Sequence, residues 1–149
     1  MAQEVIVFLL AATPVVEVRG SIPLGLYFGL DPLKTYLLSI AGSILPILPV
    51  LLGLNYLTTW MRKIPAFDKF FAWLFARTRA KSKLVERFET VGLMLFVAVP
   101  LPGTGIWTGC VAAYLFGLSY FEGFIACALG TMIAAGVVLA ASLGFISLI

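Results

Sequence analysis

Four stretches with few or no charged positions dominate the chain: Val5 to Leu30, Leu33 to Met61, Val91 to Phe121 and Gly123 to Ile149. Each exceeds the roughly 20 residues that a membrane-spanning helix needs. Between the second and third the pattern changes. In "AFDKFFAWLFARTRAKSKLVERFE", Phe67, Phe70, Phe71, Leu74 and Phe75 recur at i, i+3, i+4, i+7 and i+8, which is one face of a helix. Asp68 and Lys69 fall off that face, and Arg77, Arg79, Lys81 and Lys83 follow it. An aromatic face followed by a basic cluster predicts an amphipathic helix lying in the lipid interface, drawn to anionic headgroups. The same face could equally pack on the chain's own spanning helices. Membrane-side basic clusters are expected in any case, so no nucleic-acid partner is inferred.

The first and third apolar stretches are interrupted. In "PVVEVRGSIP" the break runs from Pro14 to Pro23, and in "PLPGTG" from Pro100 to Gly105. A proline inside a helix lacks an N–H and clashes with the carbonyl four residues back. Pro23 would free the carbonyl of Arg19, and Pro100 and Pro102 those of Phe96 and Ala98. Each orphan costs several kcal/mol in hydrocarbon unless protein or water satisfies it. Both stretches therefore read as re-entrant hairpins with tips inside the membrane, leaving Leu33 to Trp60 and Tyr120 to Ile149 to span it. Four ordinary spanning helices are the alternative.

The halves on either side of the central helix look related. A shift of 88 pairs Pro14 with Pro102, Phe28-Gly29-Leu30 with Phe116-Gly117-Leu118, Gly42 with Gly130 and Val50-Leu51 with Val138-Leu139. One true span per half would turn the second half upside down, an inverted repeat whose two broken tips meet near the midplane. The predicted fold is thus an all-α integral membrane protein, one domain over 1–149. It divides into a first repeat (1–60), a cytoplasmic amphipathic helix (61–90) and a second repeat (91–149).

Composition agrees with that class. The chain has 149 residues, of which 62% are hydrophobic and 11% charged, against about 25% charged in soluble domains. No basic region precedes the first stretch, so the start reads as mature protein rather than a signal peptide. Arg62 to Glu89 holds eight basic and three acidic residues, which places the central connection on the cytoplasmic side. There is no histidine, so His-based catalysis and the commonest metal ligand are excluded, and no metal or cofactor is expected. Cys110 and Cys127 read as two buried thiols acting as small hydrophobes.

The chemistry concentrates at the two breaks. Alternate residues of an extended chain share a face, so an unwound Pro14–Pro23 tip would aim Glu17 and Arg19 at one cavity. Ionisable residues at membrane depth pair, and face the interior or water. Arg19 stays charged and can hold an anion, whereas a desolvated Glu17 can take a proton. A pair that merely neutralises itself and pins the hairpin is the plainer reading. Opposite them, Gly103, Thr104 and Gly105 would expose successive N–H groups, an anion-favouring nest, with a half-helix starting near Thr108. Trp107, Tyr114, Tyr27 and Tyr36 could stack on a substrate or belong to interfacial belts.

These residues also carry a resemblance. "PVVEVRGSIPLG" followed by "AVPLPGTGIWTGCVAAYLFGL" resembles the paired motifs of the small multi-drug export protein family of bacteria and archaea, over essentially the whole chain. That family is similar in plan to the DedA-type membrane proteins, with paired re-entrant segments, embedded acidic and arginine residues, and roles in moving lipid phosphates. The resemblance implies a multi-pass transport protein of a prokaryotic cell membrane. It carries over Glu17, Arg19, Gly20 and Pro23, and Pro100, Pro102, Gly103, Thr104, Gly105, Trp107, Thr108 and Gly109. The second arginine usual near the second hairpin of DedA-type proteins has no counterpart here.

The expected function is a small secondary transporter, proton-coupled through Glu17, moving an amphipathic molecule past the hairpin tips. A lipid-phosphate flippase and a non-transporting, lipid-sensing scaffold are the alternatives. An enzyme is not expected, since neither histidine nor a carboxylate pair supplies acid–base chemistry. The partners expected are membrane lipids, the substrate and a second copy of the chain. Gly42, Gly53, Gly130, Gly136 and Gly144 offer small surfaces for close helix contact in a dimer.

Overall fold

A computed structural model describes residues 1–69, 72–73, 83–101 and 103–149, with backbone alone at 83–89. Seven helices are used below: α1 (Ala2–Ala11), α2 (Glu17–Tyr27), α3 (Pro32–Ile44), α4 (Ile47–Met61), α5 (Lys83–Ala98), α6 (Ile106–Leu115) and α7 (Tyr120–Leu148). Residues 65–69 are also helical, with Phe67 41% exposed. The rest of the predicted aromatic face (Phe70, Phe71, Leu74, Phe75), with Arg77, Arg79 and Lys81, and Pro102, lies outside the described residues. So does the side chain of Lys83.

Among the described residues, two segments are long and apolar enough to cross a membrane, Pro32–Met61 and Tyr120–Leu148. They match the expected spans, with one difference. The first is interrupted at Leu45 and Pro46, because Pro46 cannot donate to the helix ladder and α4 restarts behind it. By contrast α7 runs unbroken for 29 residues.

The halves share one plan: α1, α2 and α3 pack on one another, and so do α5, α6 and α7. Between the halves α2 packs on α7, α6 on α4, and α7 on both α3 and α4. One core cluster joins α4 to α7 through Ile47, Leu51, Leu93, Val97, Ile106, Cys110 and Cys127. A second joins α2, α3 and α7 through Val18, Ile22, Ile40, Ala134 and Ala135. Large apolar side chains also face outward, among them Leu37, Leu52 and Phe145. A soluble surface would not carry them in such number.

The 88-residue shift holds at the level of single hydrogen bonds. Gly29 and Gly117 both have positive φ, 77° and 69°, a conformation that glycine takes without cost. Leu30 N–H donates to the Gly25 carbonyl at 3.1 Å, and Leu118 N–H to that of Ala113 at 3.0 Å. Asp31 then caps α3 by accepting from Lys34 N–H, and Ser119 caps α7 by accepting from Glu122 N–H. Farther along, Gly42 lets α3 reach the Phe8 carbonyl of α1, and Gly130 lets α7 reach the Met94 carbonyl of α5. Both glycines are thus used within the chain, which corrects their expected role as contact surfaces for a second copy. Gly53, Gly136 and Gly144 keep open space.

Polar ties complete the packing. Ser21 meets Ser39 at 2.9 Å, Ser43 donates to the Ala11 carbonyl at 2.9 Å, and Tyr36 to the Met132 carbonyl at 3.0 Å. In an apolar environment each contributes roughly 0.6 to 2 kcal/mol. Tyr36 is therefore a structural tie between α3 and α7.

Candidate functional site

Two connections meet where the halves join, one before α2 and one before α6. The first turn is closed by Thr13, whose hydroxyl donates to the Leu10 carbonyl at 2.7 Å and accepts from Val16 N–H at 3.3 Å. Glu17 follows with φ of 47°, the positive value found at no other non-glycine residue among those described. Such a conformation costs about 1 to 3 kcal/mol and persists only where its surroundings hold it. Here they do.

Arg19 Nη1 donates to Glu17 Oε2 at 2.5 Å. Its Nη2 reaches across to the other half, donating to the Val99 carbonyl at 3.3 Å and to Thr104 Oγ1 at 3.1 Å. The Thr104 hydroxyl lies 2.6 Å from the Val99 carbonyl and 2.8 Å from that of Leu101. Arg19 thereby ties α2 to the loop between α5 and α6.

The Glu17 carboxylate crosses the same boundary. It lies against Gly105 and faces the backbone N–H groups of Ile106 and Trp107, the first two residues of α6. Helix starts leave such donors unsatisfied, and Gly105, the N-cap of α6, has no side chain to serve them. Glu17 places a carboxylate at that start, supplied from the other half. A Cβ at Gly105 would sit on the carboxylate itself. Glu17 retains only 6% of its exposure, so the charge is held by Arg19 and by the positive end of α6.

The 88-residue shift pairs Glu17 with Gly105 and Arg19 with Trp107. The acid thus lies against its own counterpart, and one of the two positions must be small for the other to be large.

Of the expected site residues, Glu17, Arg19, Thr104, Gly105 and Trp107 meet here, with changes of role. Glu17 and Arg19 do face one point, but not on extended chain: α2 is helical from Glu17 and carries Pro23 inside it. The positive φ at Glu17, not an unwound tip, breaks the helical spacing of the pair. Gly20 lies one turn into α2 against the Val16 side chain. The nest at Gly103–Gly105 is corrected as well. Gly103 has φ of 86° as a turn requires, but Thr104 N–H is spent on the Leu101 carbonyl at 3.3 Å. The N–H groups that meet an anion are those of Ile106 and Trp107. Pro23 and Pro100 line one groove beside the site, and Trp107 and Thr108 line another. Tyr27 stays 85% exposed, away from the pair.

Val99 and Ile106, unmarked in the sequence, act through the backbone. The shift could have pointed to Gly105 as the partner of Glu17. Among the described residues no group of three or more His, Cys, Asp or Glu side chains could hold a metal ion. Cys110 and Cys127 lie together in the core as fully buried thiols.

No curated protein and no solved structure matches this chain. A family described as "Putative small multi-drug export protein" matches residues 17–138. The match begins at the buried acid and runs through both sides of the site, and on that span the chain belongs to the small multi-drug export protein family.

Proposed function

We propose that the chain is a small secondary transporter that exports amphipathic molecules, with Glu17 as its proton-carrying group. The family description supports transport in general terms, and the two long apolar segments support a membrane setting. The observation that carries the finer reading is the seat of Glu17. One carboxylate from the first half faces the start of a helix of the second and holds the arginine that ties the halves together. A proton on that carboxylate removes the charge that holds Arg19 and two N–H groups. The halves then lose their common anchor in one step.

Helix lengths favour re-entrant hairpins. At 1.5 Å per residue, α1, α2 and α6 are each about 15 Å long, against a hydrocarbon core of about 30 Å. The pairs α1–α2 and α5–α6 reach the midplane and return, which with one span per half makes the repeat inverted and brings the tips together from opposite sides. The basic central connection then faces the cytoplasm, and Gly136 and Gly144 remain free for a homodimer contact.

Arg19 and the α6 N-terminus would also suit a lipid phosphate. In the structure that seat is filled by Glu17, so an anionic substrate must displace it or arrive with the proton. The test is pH-gradient-driven flux of ethidium in proteoliposomes, run beside a fluorescent phosphatidic acid. Gradient-driven ethidium flux that vanishes in Glu17→Gln supports the reading. Phosphatidic acid movement with no ethidium flux transfers the site to lipid phosphates, and neither movement ends the transport reading.

A further inference from the structure

Two apolar grooves flank the site. The first, about 800 Å³, lies between α2 and α7. The second, about 680 Å³, lies between α4 and α6. They are related. Pro23, Ala141 and Phe145 of the first stand 88 positions from Val111, Gly53 and Leu57 of the second. Exchanging the halves carries α2 onto α6 and α7 onto α4, so each groove falls on the other. Gaps left by chance between unrelated helix pairs would not share their positions.

Both grooves run up to the polar centre. Pro23 lies on the helix that carries Glu17, and Pro100 follows the carbonyl that holds Arg19. Trp107, on the wall of the second, belongs to the first turn of α6, which Glu17 faces. Their outer edges are open, with Phe145 and Tyr56 66% and 79% exposed. At Gly53 nothing lies within 4 Å of where a Cβ would be. Both volumes fall in the range of small-ligand sites.

We propose that these are two copies of one binding groove, each taking the alkyl body of a single-chain amphiphile whose head reaches Glu17 and Arg19. Placing the head there rests on the transport reading above; the grooves' equivalence does not. The occupant follows from the walls: mostly aliphatic and aromatic, open laterally, with the polar centre beyond one end and few polar groups between. An alkyl chain with one polar terminus matches that order, whereas a compact polar solute would leave its hydrogen bonds unmade.

The test uses the full chain in phosphatidylcholine nanodiscs. With Trp60→Phe and Trp73→Phe, Trp107 is the one tryptophan and reports on the second groove. With Trp107→Phe added, Ser142→Trp reports on the first. A third tryptophan, Leu37→Trp, faces outward as reference. Each is titrated with dibromostearate, whose bromines quench on contact. The two groove reporters should saturate with similar apparent affinities, while the reference falls in linear proportion to probe. Gly53→Phe should weaken the second groove at least about tenfold and leave the first unchanged, and Ala141→Phe should do the reverse. Val111→Phe fills the second groove from its other wall, should Gly53→Phe fail to fold. Linear quenching at both reporters, saturation at one alone, or indifference to both fillers of the second groove overturns the proposal. Protection of Trp107 that disappears on dilution to monomer overturns it too, in favour of a second copy as occupant. None of these readouts uses flux, so failure of proton-coupled transport and failure of the grooves register separately.

Discussion

The turn from α2 into α3 and the turn from α6 into α7 are the same structure twice. Each has a positive-φ glycine, a 3.0 to 3.1 Å bond closing the helix end, and a capping side chain 88 positions from its counterpart. The turns entering α2 and α6 are not alike at all. One carries a buried acid with φ of 47°, the other a glycine with ordinary extended backbone. Two turns with the same backbone task kept the same solution. The two that meet at the centre could not, because one Glu17 fills the space that a second would need. The two outer turns match and the chemistry at the centre is single.

The sharpest way to break this contrast is to remove one partner at the centre. Arg19→Gln leaves the Glu17 charge against α6 with half its support, and should cost about 3 kcal/mol. Glu17→Gln with Arg19→Gln should recover most of that, since the lone buried charge is what costs. Thermal unfolding of both variants checks it. Full stability of Arg19→Gln would make the pair an ornament.

Whether the likeness extends beyond the turns is tested at Gly42 and Gly130. A Cβ at either meets a backbone carbonyl, of Phe8 or Met94, which has no rotamer to escape into. Gly42→Ala and Gly130→Ala should each destabilise by about 1 to 3 kcal/mol, and by like amounts. A large difference between them would mean that the two close approaches are not equivalent.

The smallest effect belongs to a contact without a counterpart, Lys34 with Glu4 at 2.5 Å. The hydrogen bond from Lys34 holds the Glu4 carboxyl below its usual range. A depressed carboxyl contributes stability above its unfolded pKa and loses it as pH falls through the folded one. The pair is exposed, so the effect should be small and removed by salt. Unfolding of wild type and Lys34→Met should differ slightly at neutral pH and not at all below the folded pKa of Glu4.

The same contrast explains what the sequence disclosed. The matched turns were legible because Phe-Gly-Leu and the later glycines answer backbone demands, and such demands leave fixed residues behind. The importance of Glu17 and Arg19 was legible from charge in an apolar run. Their geometry was not. No glycine or asparagine announces the positive φ at Glu17, and prolines on either side suggested unwound chain where α2 is helical. The α6 seat was missed for a similar reason, since N–H groups of Ile106 and Trp107 leave no mark in side-chain identity. The interruption at Leu45–Pro46 had Pro46 as its sign, yet the apolar run on both sides masked it.

The central claim is that the Glu17 carboxylate holds the start of α6 and releases it on taking a proton. It is tested most directly by the amide signals of Ile106 and Trp107 across a pH titration of labelled protein in nanodiscs. The account predicts that both signals move together with one midpoint in wild type and stay flat in Glu17→Gln. Signals that do not titrate in wild type, or that titrate equally in Glu17→Gln, would contradict it.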